Sequence, residues 1–313
     1  MVKISFIGAG GVAMTTAFTM GLKLGKQLEE IVLIDVNGEV ANARGIDLKQ
    51  SFILNELDIK VAGSSNYENV AKSDVIIITA SVPPTPGVSD REAMLKANKN
   101  VIGAVAENLK KVIPTDEAQP FIIVVSNPLD LMLNHFIRVG DFNRKKTIGS
   151  GNWLDTARLK DHLSREIKIE PSKIKTFAVA QHGIKILYLL SKTTVDGKPL
   201  SDYNIPKEKL EQIVKNSVTG GQEIIEKGQT RTLYGPALSI FNLAIAYIQD
   251  KKDLLTAAVY LNGEYGVSDF CFGVPIIIGK NGVEKIEIWE LTDEENKNYQ
   301  LAYQFAKNLD IES

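Results

Sequence analysis

The chain opens with a short apolar run that ends in a cluster of glycines. Residues 4–7 are mostly apolar, Gly8-Ala9-Gly10-Gly11 follows, and residues 12–24 have helical character. A continuous apolar run is typical of a strand buried on both faces. Glycines allow the tight turn that takes the chain from such a strand into a helix. The sequence therefore predicts a β-strand, a glycine turn and an α-helix at the start of an α/β fold.

The same alternation continues through the first half of the chain. A long helix is predicted at residues 93–111, and further buried strands are predicted at residues 31–34, 74–79, 121–125 and 146–148. Apolar strands separated by helices indicate a parallel sheet that is covered on both faces. This is the doubly wound, or Rossmann, arrangement.

The second half has a different pattern, in which neighbouring strands are joined directly. Helices are predicted at residues 155–166, 207–227, 236–249 and 292–309, and strands at residues 173–180, 184–191, 259–261, 271–278 and 283–289. Gly279-Lys280-Asn281-Gly282 is a hairpin signal between the last two strands. We expect a Rossmann domain over residues 1–145 and an α+β substrate domain over residues 146–313.

Composition narrows the classes of protein to which the chain can belong. Its 313 residues suit two domains, and a net charge of −2 gives no reason to expect nucleic acid or an anionic membrane as a partner. The single cysteine, Cys271, excludes an internal disulfide and fits a reducing compartment. The apolar N-terminus could be a short signal peptide, but glycines interrupt it where such a segment would continue. We expect a cytoplasmic protein.

The glycine turn fits a dinucleotide-binding pattern. Gly8, Gly10 and Ala13 have the spacing that lets a backbone approach a pyrophosphate at a helix N-terminus, and Asp35 ends the next predicted strand. A carboxylate there accepts a hydrogen bond from the ribose 2′-hydroxyl of NAD and repels the 2′-phosphate of NADP. The sequence thus favours NAD. The alternative is an ordinary glycine turn, with Asp35 as a turn residue.

Three charged or titratable residues in the second half could move a proton on an anionic substrate. His182 is one of three histidines, and Asp155 and Arg158 are spaced to share one face of a helix. A carboxylate can orient an imidazole, and a guanidinium can hold a substrate carboxylate. The alternative for Asp155 and Arg158 is a solvated ion pair within a helix. His162, four residues after Arg158, is a rival for His182, although a surface position is its simpler interpretation.

In combination these motifs resemble the NAD-dependent lactate/malate dehydrogenase family over nearly the whole chain. The segments that carry the resemblance are Ile7-Gly8-Ala9-Gly10, Ile78-Thr79-Ala80, Val125-Ser126-Asn127-Pro128-Leu129-Asp130, Leu154-Asp155-Thr156-Ala157-Arg158, Gln181-His182-Gly183 and Gly263-Glu264-Tyr265-Gly266-Val267. The resemblance implies reversible hydride transfer between a 2-hydroxy acid and NAD⁺. It implies that His182 accepts the hydroxyl proton, that Asp155 orients His182, and that Arg158 binds the substrate carboxylate.

The resemblance also implies roles for residues of several loops. Asn127 is expected to contact both the cofactor and the substrate, and the bond to Pro128 is expected to be cis. Thr232 is expected to line the substrate pocket, whereas Thr79 and Asn98 are expected to contact the cofactor. Members of the family commonly form homodimers or homotetramers, and the sequence does not choose between these assemblies. His135, on a predicted helix after Asn127, is interpreted as structural.

Residues 82–91 resemble the mobile lid of the family, with one extra residue. Alignment from the following helix makes Arg91 the cation that polarises the substrate carbonyl, whereas alignment from Thr79 places Asp90 there; we favour Arg91 because a developing alkoxide needs a cation. Pro84 occupies the specificity position, where malate dehydrogenases typically carry arginine and lactate dehydrogenases glutamine. Lys185 and Arg231 are candidate replacement cations for a second carboxylate.

Other motifs favour malate/oxaloacetate as the substrate, and lactate/pyruvate or a bulkier 2-oxo acid is the alternative. The motifs that look closer to the malate branch are Asn127-Pro128-Leu129-Asp130, Tyr234-Gly235-Pro236-Ala237 and residues 263–267. An NAD-dependent glycosidase of related fold would need a metal, and the sequence shows no cluster of Cys and His ligands. A non-catalytic NAD-binding protein is a further alternative. The presence of His182, Asp155, Arg158 and Arg91 together argues against it.

Overall fold

The structure is a computed structural model that describes residues 1–82, 91–116, 118–228 and 231–312, without the side chains of residues 91–94, 311 and 312. Its first half contains six parallel strands in the order β3-β2-β1-β4-β5-β6. The strands are β1 (Val2–Ile7), β2 (Leu28–Ile34), β3 (Lys60–Ser64), β4 (Val75–Ile78), β5 (Phe121–Val124) and β6 (Thr147–Gly149). The helices are α1 (Gly11–Leu24), α2 (Gly38–Leu54), α3 (Arg91–Lys110) and α4 (Leu129–Gly140). This arrangement confirms the predicted doubly wound sheet.

The sequence interpretation did not include β3 and α2. β3 lies at the edge of the sheet and has the sequence Lys60-Val61-Ala62-Gly63-Ser64, which contains one large apolar side chain. An edge strand does not need the continuous apolar run that marks a central strand. Helix α2 packs directly on β3, because a Cβ atom at Gly63 would lie 2.2 Å from the carbonyl oxygen of Ala41.

In its described residues, the second half adds four α-helices and further strands. The helices are α5 (Asn152–Ile167), α6 (Lys207–Gly228), α7 (Tyr234–Ile248) and α8 (Asp293–Glu312). The strands are β7 (Ile174–Lys175), β8 (Ala178–Ala180), β9 (Ile186–Tyr188), β10 (Thr194–Val195), β11 (Lys198–Pro199), β12 (Asp253–Asn262), β13 (Ser268–Gly279) and β14 (Gly282–Ile286). The predicted hairpin is confirmed, since Gly279 pairs with Gly282.

The long strands predicted at residues 173–180 and 184–191 are wrong in extent. β7 pairs with β10 in a separate three-stranded sheet, whereas β8 pairs with β9 and β13 in the main sheet. The chain changes sheets between them at Thr176, whose buried hydroxyl lies 2.8 Å from that of Thr193. The second segment ends in a turn of 3-10 helix at Leu190–Lys192. Alternation of residue types cannot show which sheet a short strand joins.

The main sheet continues from the first half of the chain into the second. β12 pairs antiparallel with β6 at Ala258 and Gly149, and β13 and β8 extend the sheet beyond it. The core of the first half is built from side chains with no solvent exposure, among them Phe6, Ile77 and Ile123. In the part of the chain that the structure describes, no helix is long and apolar enough to cross a membrane.

Candidate active site

The glycine turn brings the ends of β1 and β4 into contact. Gly8 has a φ of 93°, and a Cβ atom there would lie 2.7 Å from the backbone nitrogen of Ala80. The hydroxyl of Thr79 donates a hydrogen bond of 2.9 Å to the Gly8 carbonyl. Glycine is required at position 8 for both conformational and steric reasons. Gly8 and Thr79 are therefore neighbours in the structure, although 71 residues separate them along the chain.

The start of α1 offers an open cradle for an anion. Gly10 precedes the helix, and a Cβ atom at this position would meet nothing within 4 Å. The first turn of α1 contains no acidic residue. The N–H groups at a helix start have no partners within the helix and carry its positive dipole end. Open space in front of these donors fits the pyrophosphate of a dinucleotide.

Asp35 lies beside this turn, at the end of β2. Its Oδ2 atom accepts a hydrogen bond of 2.9 Å from the backbone N–H of Ala9, and Oδ1 accepts one of 3.1 Å from that of Asn37. The guanidinium of Arg44 donates to the Ala9 carbonyl, so the N–H and the carbonyl of Ala9 each have a side-chain partner. Each Asp35 oxygen retains a lone pair for a ribose hydroxyl. Sequence reasoning missed Arg44 because it lies on α2, a helix that was not predicted.

Asn98 on α3 connects the two loops that follow β4 and β5. Its side chain accepts a hydrogen bond of 2.8 Å from the N–H of Val82 and donates one of 2.9 Å to the carbonyl of Asn127. Asn98 is buried, with 5% of its surface exposed. Its hydrogen bond to the Asn127 carbonyl therefore helps to position the Asn127 loop. The peptide bond between Asn127 and Pro128 is cis, as expected from the resemblance.

A carboxylate, an imidazole and a guanidinium meet in the second half of the chain. Oδ2 of Asp155 lies 2.7 Å from Nδ1 of His182, and Oδ1 of Asp155 accepts a hydrogen bond of 2.6 Å from Nη1 of Arg158. Asp155 is in the first turn of α5, and Arg158 follows three residues later on the same face. His182 comes two residues after β8. The structure thus brings together the three residues that the sequence singled out.

The surroundings of His182 favour its protonated form. Burial alone would lower the pKa of the imidazole, and the charge of Arg158 acts in the same direction. The charge and hydrogen bond of Asp155, with a further contribution from the carboxylate of Asp130, outweigh these effects and raise the pKa above its usual range. An imidazole in this setting is a strengthened base.

Two glycines provide the space for these side chains. A Cβ atom at Gly151, directly before α5, would lie 2.6 Å from Cγ of His182. A Cβ atom at Gly221 on α6 would lie 2.8 Å from Nη2 of Arg158. Sequence reasoning missed both glycines. Neither has the positive φ that would mark a required turn glycine, so their importance depends on contacts between distant segments.

Asp130 is a further site residue to which the sequence reasoning assigned no role. It lies in the first turn of α4, 2% exposed, and its Oδ2 atom accepts a hydrogen bond of 3.1 Å from the backbone N–H of His182. Burial raises the pKa of this carboxyl group to about 7, against the lowering effect of His182. The available signal was a carboxylate in an otherwise apolar stretch, since a buried charge is uncommon without a partner.

Thr232 belongs to a segment that connects the two parts of the site. The neighbouring Leu233 packs near Gly11, where a Cβ atom would lie 3.0 Å from its Cδ2 atom, and Gly235 is close to Leu154 of α5. The segment therefore runs between the glycine turn and the helix that carries Asp155. Thr232, which is expected to line the substrate pocket, lies on this segment.

The other candidates have different positions. The ammonium of Lys185 lies 5.6 Å from the centre of the Phe305 ring, and Arg231 is exposed. His162 lies near Glu223 on α6, a carboxylate whose pKa is lowered mainly by the hydrogen bond and charge of Lys227, while half-buried His135 lies against Gly103. Neither histidine joins the Asp155 cluster. Pro84 and Asp90 lie outside the described residues, as does the side chain of Arg91.

Comparisons with known proteins agree with this geometry. The family model for the NAD-binding domain of lactate/malate dehydrogenases matches residues 2–149, and that for their alpha/beta C-terminal domain matches residues 153–310. Malate dehydrogenase from Pelagibacter ubique is 40% identical over 99% of this chain and 96% of its own length.

Two solved structures have the same fold along their whole length. Malate dehydrogenase from Cryptosporidium parvum is 34% identical, with a TM-score of 0.91 over 98% of this chain and 97% of its own. Lactate dehydrogenase from Cryptosporidium parvum, solved with lactic acid and nicotinamide adenine dinucleotide, is 30% identical, with a TM-score of 0.91 over 99% of this chain and 96% of its own.

Proposed function

The chain belongs to the lactate/malate dehydrogenase family, and we propose that it interconverts malate and oxaloacetate with NAD as cofactor. Family membership makes it an NAD-dependent oxidoreductase that acts on the CH–OH group of a 2-hydroxy acid. The observation that carries the assignment of the chemistry is the shared carboxylate of Asp155, which contacts His182 through one oxygen and Arg158 through the other.

His182 is proposed to be the proton acceptor in the oxidation of the hydroxy acid. Asp155 is bound to Nδ1 of the imidazole, which places the proton of the neutral ring on that nitrogen and leaves Nε2 to accept the substrate hydroxyl proton. The carboxylate then stabilises the imidazolium that forms. In the reverse direction the same imidazolium returns the proton to the carbonyl oxygen.

Arg158 is proposed to bind the substrate carboxylate. One of its nitrogens is held by Asp155, which fixes the plane of the guanidinium, and its remaining N–H donors are available for a paired contact with a carboxylate. Arg91 is proposed to polarise the reacting carbonyl, and Asn127 and Thr232 to contact the substrate between cofactor and base. These roles follow from the family motif at each position.

Six residues are proposed to bind NAD, which when bound accepts hydride at its nicotinamide. They are Gly8, Gly10, Asp35, Thr79, Asn98 and Asn127. Gly8 and Gly10 form the cradle at the start of α1, and Asp35 is positioned to accept from a ribose hydroxyl. Its negative charge would repel a 2′-phosphate, which supports NAD over NADP. Asn98 hydrogen-bonds to Val82 and to Asn127, which lie on the loops after β4 and β5.

Malate is proposed as the substrate because two relatives that are malate dehydrogenases have a higher sequence identity to this chain than the lactate dehydrogenase described above, which is 30% identical. These are the Pelagibacter ubique protein and that of Neorickettsia sennetsu, which is 34% identical over 99% of this chain. Pro84 favours the alternative, a lactate/pyruvate or bulkier 2-oxo acid dehydrogenase. Proline cannot pair with a second carboxylate, and an unpaired carboxylate in a closed site is costly.

Oxidation of NADH with a panel of 2-oxo acids tests the proposal. Oxaloacetate, pyruvate and longer 2-oxo acids are compared by kcat/KM at fixed NADH concentration, with NADPH as the cofactor control. We expect the highest kcat/KM with oxaloacetate and NADH. A higher value with pyruvate or a longer acid would replace malate by the alternative, and no turnover with any acid would refute the dehydrogenase assignment.

We also propose a homodimeric or homotetrameric assembly, a cytoplasmic location, and a division into domains at about residue 145. Large apolar side chains are exposed on α1 and α2, among them Phe18, Ile46 and Ile53, and such surfaces commonly mark contacts with another subunit. Light scattering of the purified protein would give its mass in solution. A monomeric mass at micromolar concentration would contradict the proposed assembly.

A further inference from the structure

Asp130 joins the His182 segment to the loop that carries Asn127. It lies three residues after Asn127, in the first turn of α4, and reaches the backbone N–H of His182 across 52 residues of sequence. The contact is made at the residue that supplies the imidazole, so the position of the base depends directly on this carboxylate. Leu129, its neighbour on α4, lies close to Gly151, the glycine against which the imidazole also lies.

The second oxygen of Asp130 is unusual for so deeply buried a group. Only 2% of the residue surface is exposed, and the Oδ1 atom has no hydrogen-bond partner among the described residues. A buried carboxylate that receives few hydrogen bonds is costly to ionise. The proton of this group is therefore held more firmly than that of an ordinary aspartic acid, and its pKa is raised to about 7.

The charged groups that face the imidazole come from two helices. Asp155 and Arg158 approach from α5, Asp130 approaches from α4, and each alters the protonation of His182. The Tyr188 hydroxyl on β9 has no hydrogen-bond partner among the described residues. Burial and the nearby charge of Asp155 raise its pKa above the usual range, so it stays neutral at physiological pH. Asp130 is therefore a second carboxylate in the cluster, and burial raises its pKa towards neutral pH.

We propose that Asp130 is a positioning residue that holds the main chain of His182 and couples its own ionisation to the protonation of the imidazole. When Asp130 is ionised, its charge favours the imidazolium. When Asp130 is protonated, the hydrogen bond to the His182 N–H can persist but the charge is lost. This role extends the proposed function, because it concerns the residue to which that function assigns the proton transfer.

A nuclear magnetic resonance titration of the histidines tests the coupling without any turnover. The chain has three histidines, so the Cε1–H signal of His182 can be assigned by its disappearance in the H182N variant. In the wild-type protein we expect a titration curve shallower than that of a single proton, because the ionisation of Asp130 strengthens the proton affinity of His182 as pH rises. A curve that fits one independent proton would overturn the proposal.

The D130N variant separates the charge from the hydrogen bond. Its amide oxygen can still accept from the His182 N–H, but the negative charge is absent. We expect the His182 titration midpoint to move to lower pH. The limb of the kcat/KM profile for hydroxy acid oxidation should move to lower pH with it, because oxidation requires a neutral imidazole. A purely structural role would reduce kcat/KM at every pH without moving this limb.

A matched control is E295Q, which removes the charge of another buried carboxylate. Glu295 accepts hydrogen bonds from the N–H groups of Ser191 and Thr292 and is not one of the groups that alter His182. We expect its His182 curve to match the wild type. An unshifted midpoint in D130N would refute the proposal, and the wild-type curve decides it if D130N does not fold. Failure of the proposed function would instead appear as absent turnover, with the titrations unaffected.

Discussion

Oδ2 of Asp155 lies 2.7 Å from Nδ1 of His182, and this contact determines which nitrogen of the imidazole can act on a substrate. The carboxylate is almost fully buried, so its charge is poorly screened by water. It holds the ring by its inner nitrogen and stabilises the imidazolium. Nε2 is consequently the nitrogen left to exchange the proton that the proposed function assigns to His182.

The D155N variant tests this orientation. The amide can still contact the ring, but it lacks the charge that raises the pKa of His182. We expect kcat for hydroxy acid oxidation to fall by about 10²–10⁴-fold, the usual contribution of a positioned general base. Oxidation requires neutral His182 and falls as pH drops through the pKa of the imidazole, so the acidic limb should move to lower pH. Reduction of the 2-oxo acid, the reverse reaction, requires the imidazolium, so its alkaline limb should also move to lower pH.

The control for D155N lies on the same helix. Asp161 pairs with Arg165 at the surface of α5, and D161N should retain wild-type kcat and an unchanged pH profile. Wild-type kcat and limb position in D155N, measured by NADH absorbance across pH 5–10, would mean that Asp155 does not act on the imidazole.

Arg158 should control the use of substrates rather than the binding of cofactor. In R158Q the paired donors for a carboxylate are lost, and we expect kcat/KM to fall by about 10²–10³-fold, in line with the loss of a buried charge pair. R158K keeps the charge without the planar fork and should recover part of this loss. NADH affinity, measured by fluorescence, should stay within about twofold of wild type because the guanidinium lies with Asp155 rather than at the glycine turn.

R165Q is the matched control, since Arg165 is exposed on the same helix and pairs with Asp161. It should leave kcat/KM unchanged. If R158Q and R165Q had the same kcat/KM, Arg158 would be no more than a partner of Asp155.

The sequence predicted those parts of the site that depend on local spacing. Gly8 and Asp35 could be assigned because a turn and a strand end have local signals. The spacing of Asp155 and Arg158 predicted that they share one helical face, but their roles came from the family motif. The partnership of Asp155 with His182 came from the family motif. In the structure, Oδ2 of Asp155 and Nδ1 of His182 lie 2.7 Å apart.

The parts that could not be predicted depend on contacts between distant segments. Gly151 does not have the positive φ of a turn glycine, and its importance is that the imidazole of His182 lies against it. The contact of Asp130 with the His182 N–H likewise joins two segments that are distant in sequence. No periodic pattern in the sequence shows that these segments are close in space. The break between β7 and β8 arises because the two strands join different sheets.

Two glycines of the turn should separate stability from cofactor binding. G10A places a methyl group in open space, so the melting temperature should stay close to wild type, while NADH affinity falls because the group occupies the cradle at the start of α1. G8A forces a residue with φ of 93° against Ala80. The unfavourable backbone conformation alone should lower the free energy of unfolding by about 1–3 kcal/mol.

Calorimetry and NADH fluorescence measure both effects. Unchanged NADH affinity in a folded G10A variant would show that the cofactor does not approach the turn at this residue. An equal loss of melting temperature in both variants would contradict the steric difference between the two positions.

Gly151 should be required for the position of the base. A Cβ atom there would lie 2.6 Å from Cγ of His182 and 2.8 Å from Cδ2 of Leu129, a fully buried core side chain. Since Leu129 has little room to move, we expect the imidazole to be displaced in G151A. A displacement of about 1 Å can reduce a rate by about 10²-fold. NADH affinity should be retained, because the glycine turn is untouched.

G45A is the control: a Cβ atom at Gly45 on α2 makes ordinary contacts of 3.5 Å, and kcat should equal that of the wild type. A G151A variant with wild-type kcat would show that activity does not depend on the position of His182 against Gly151.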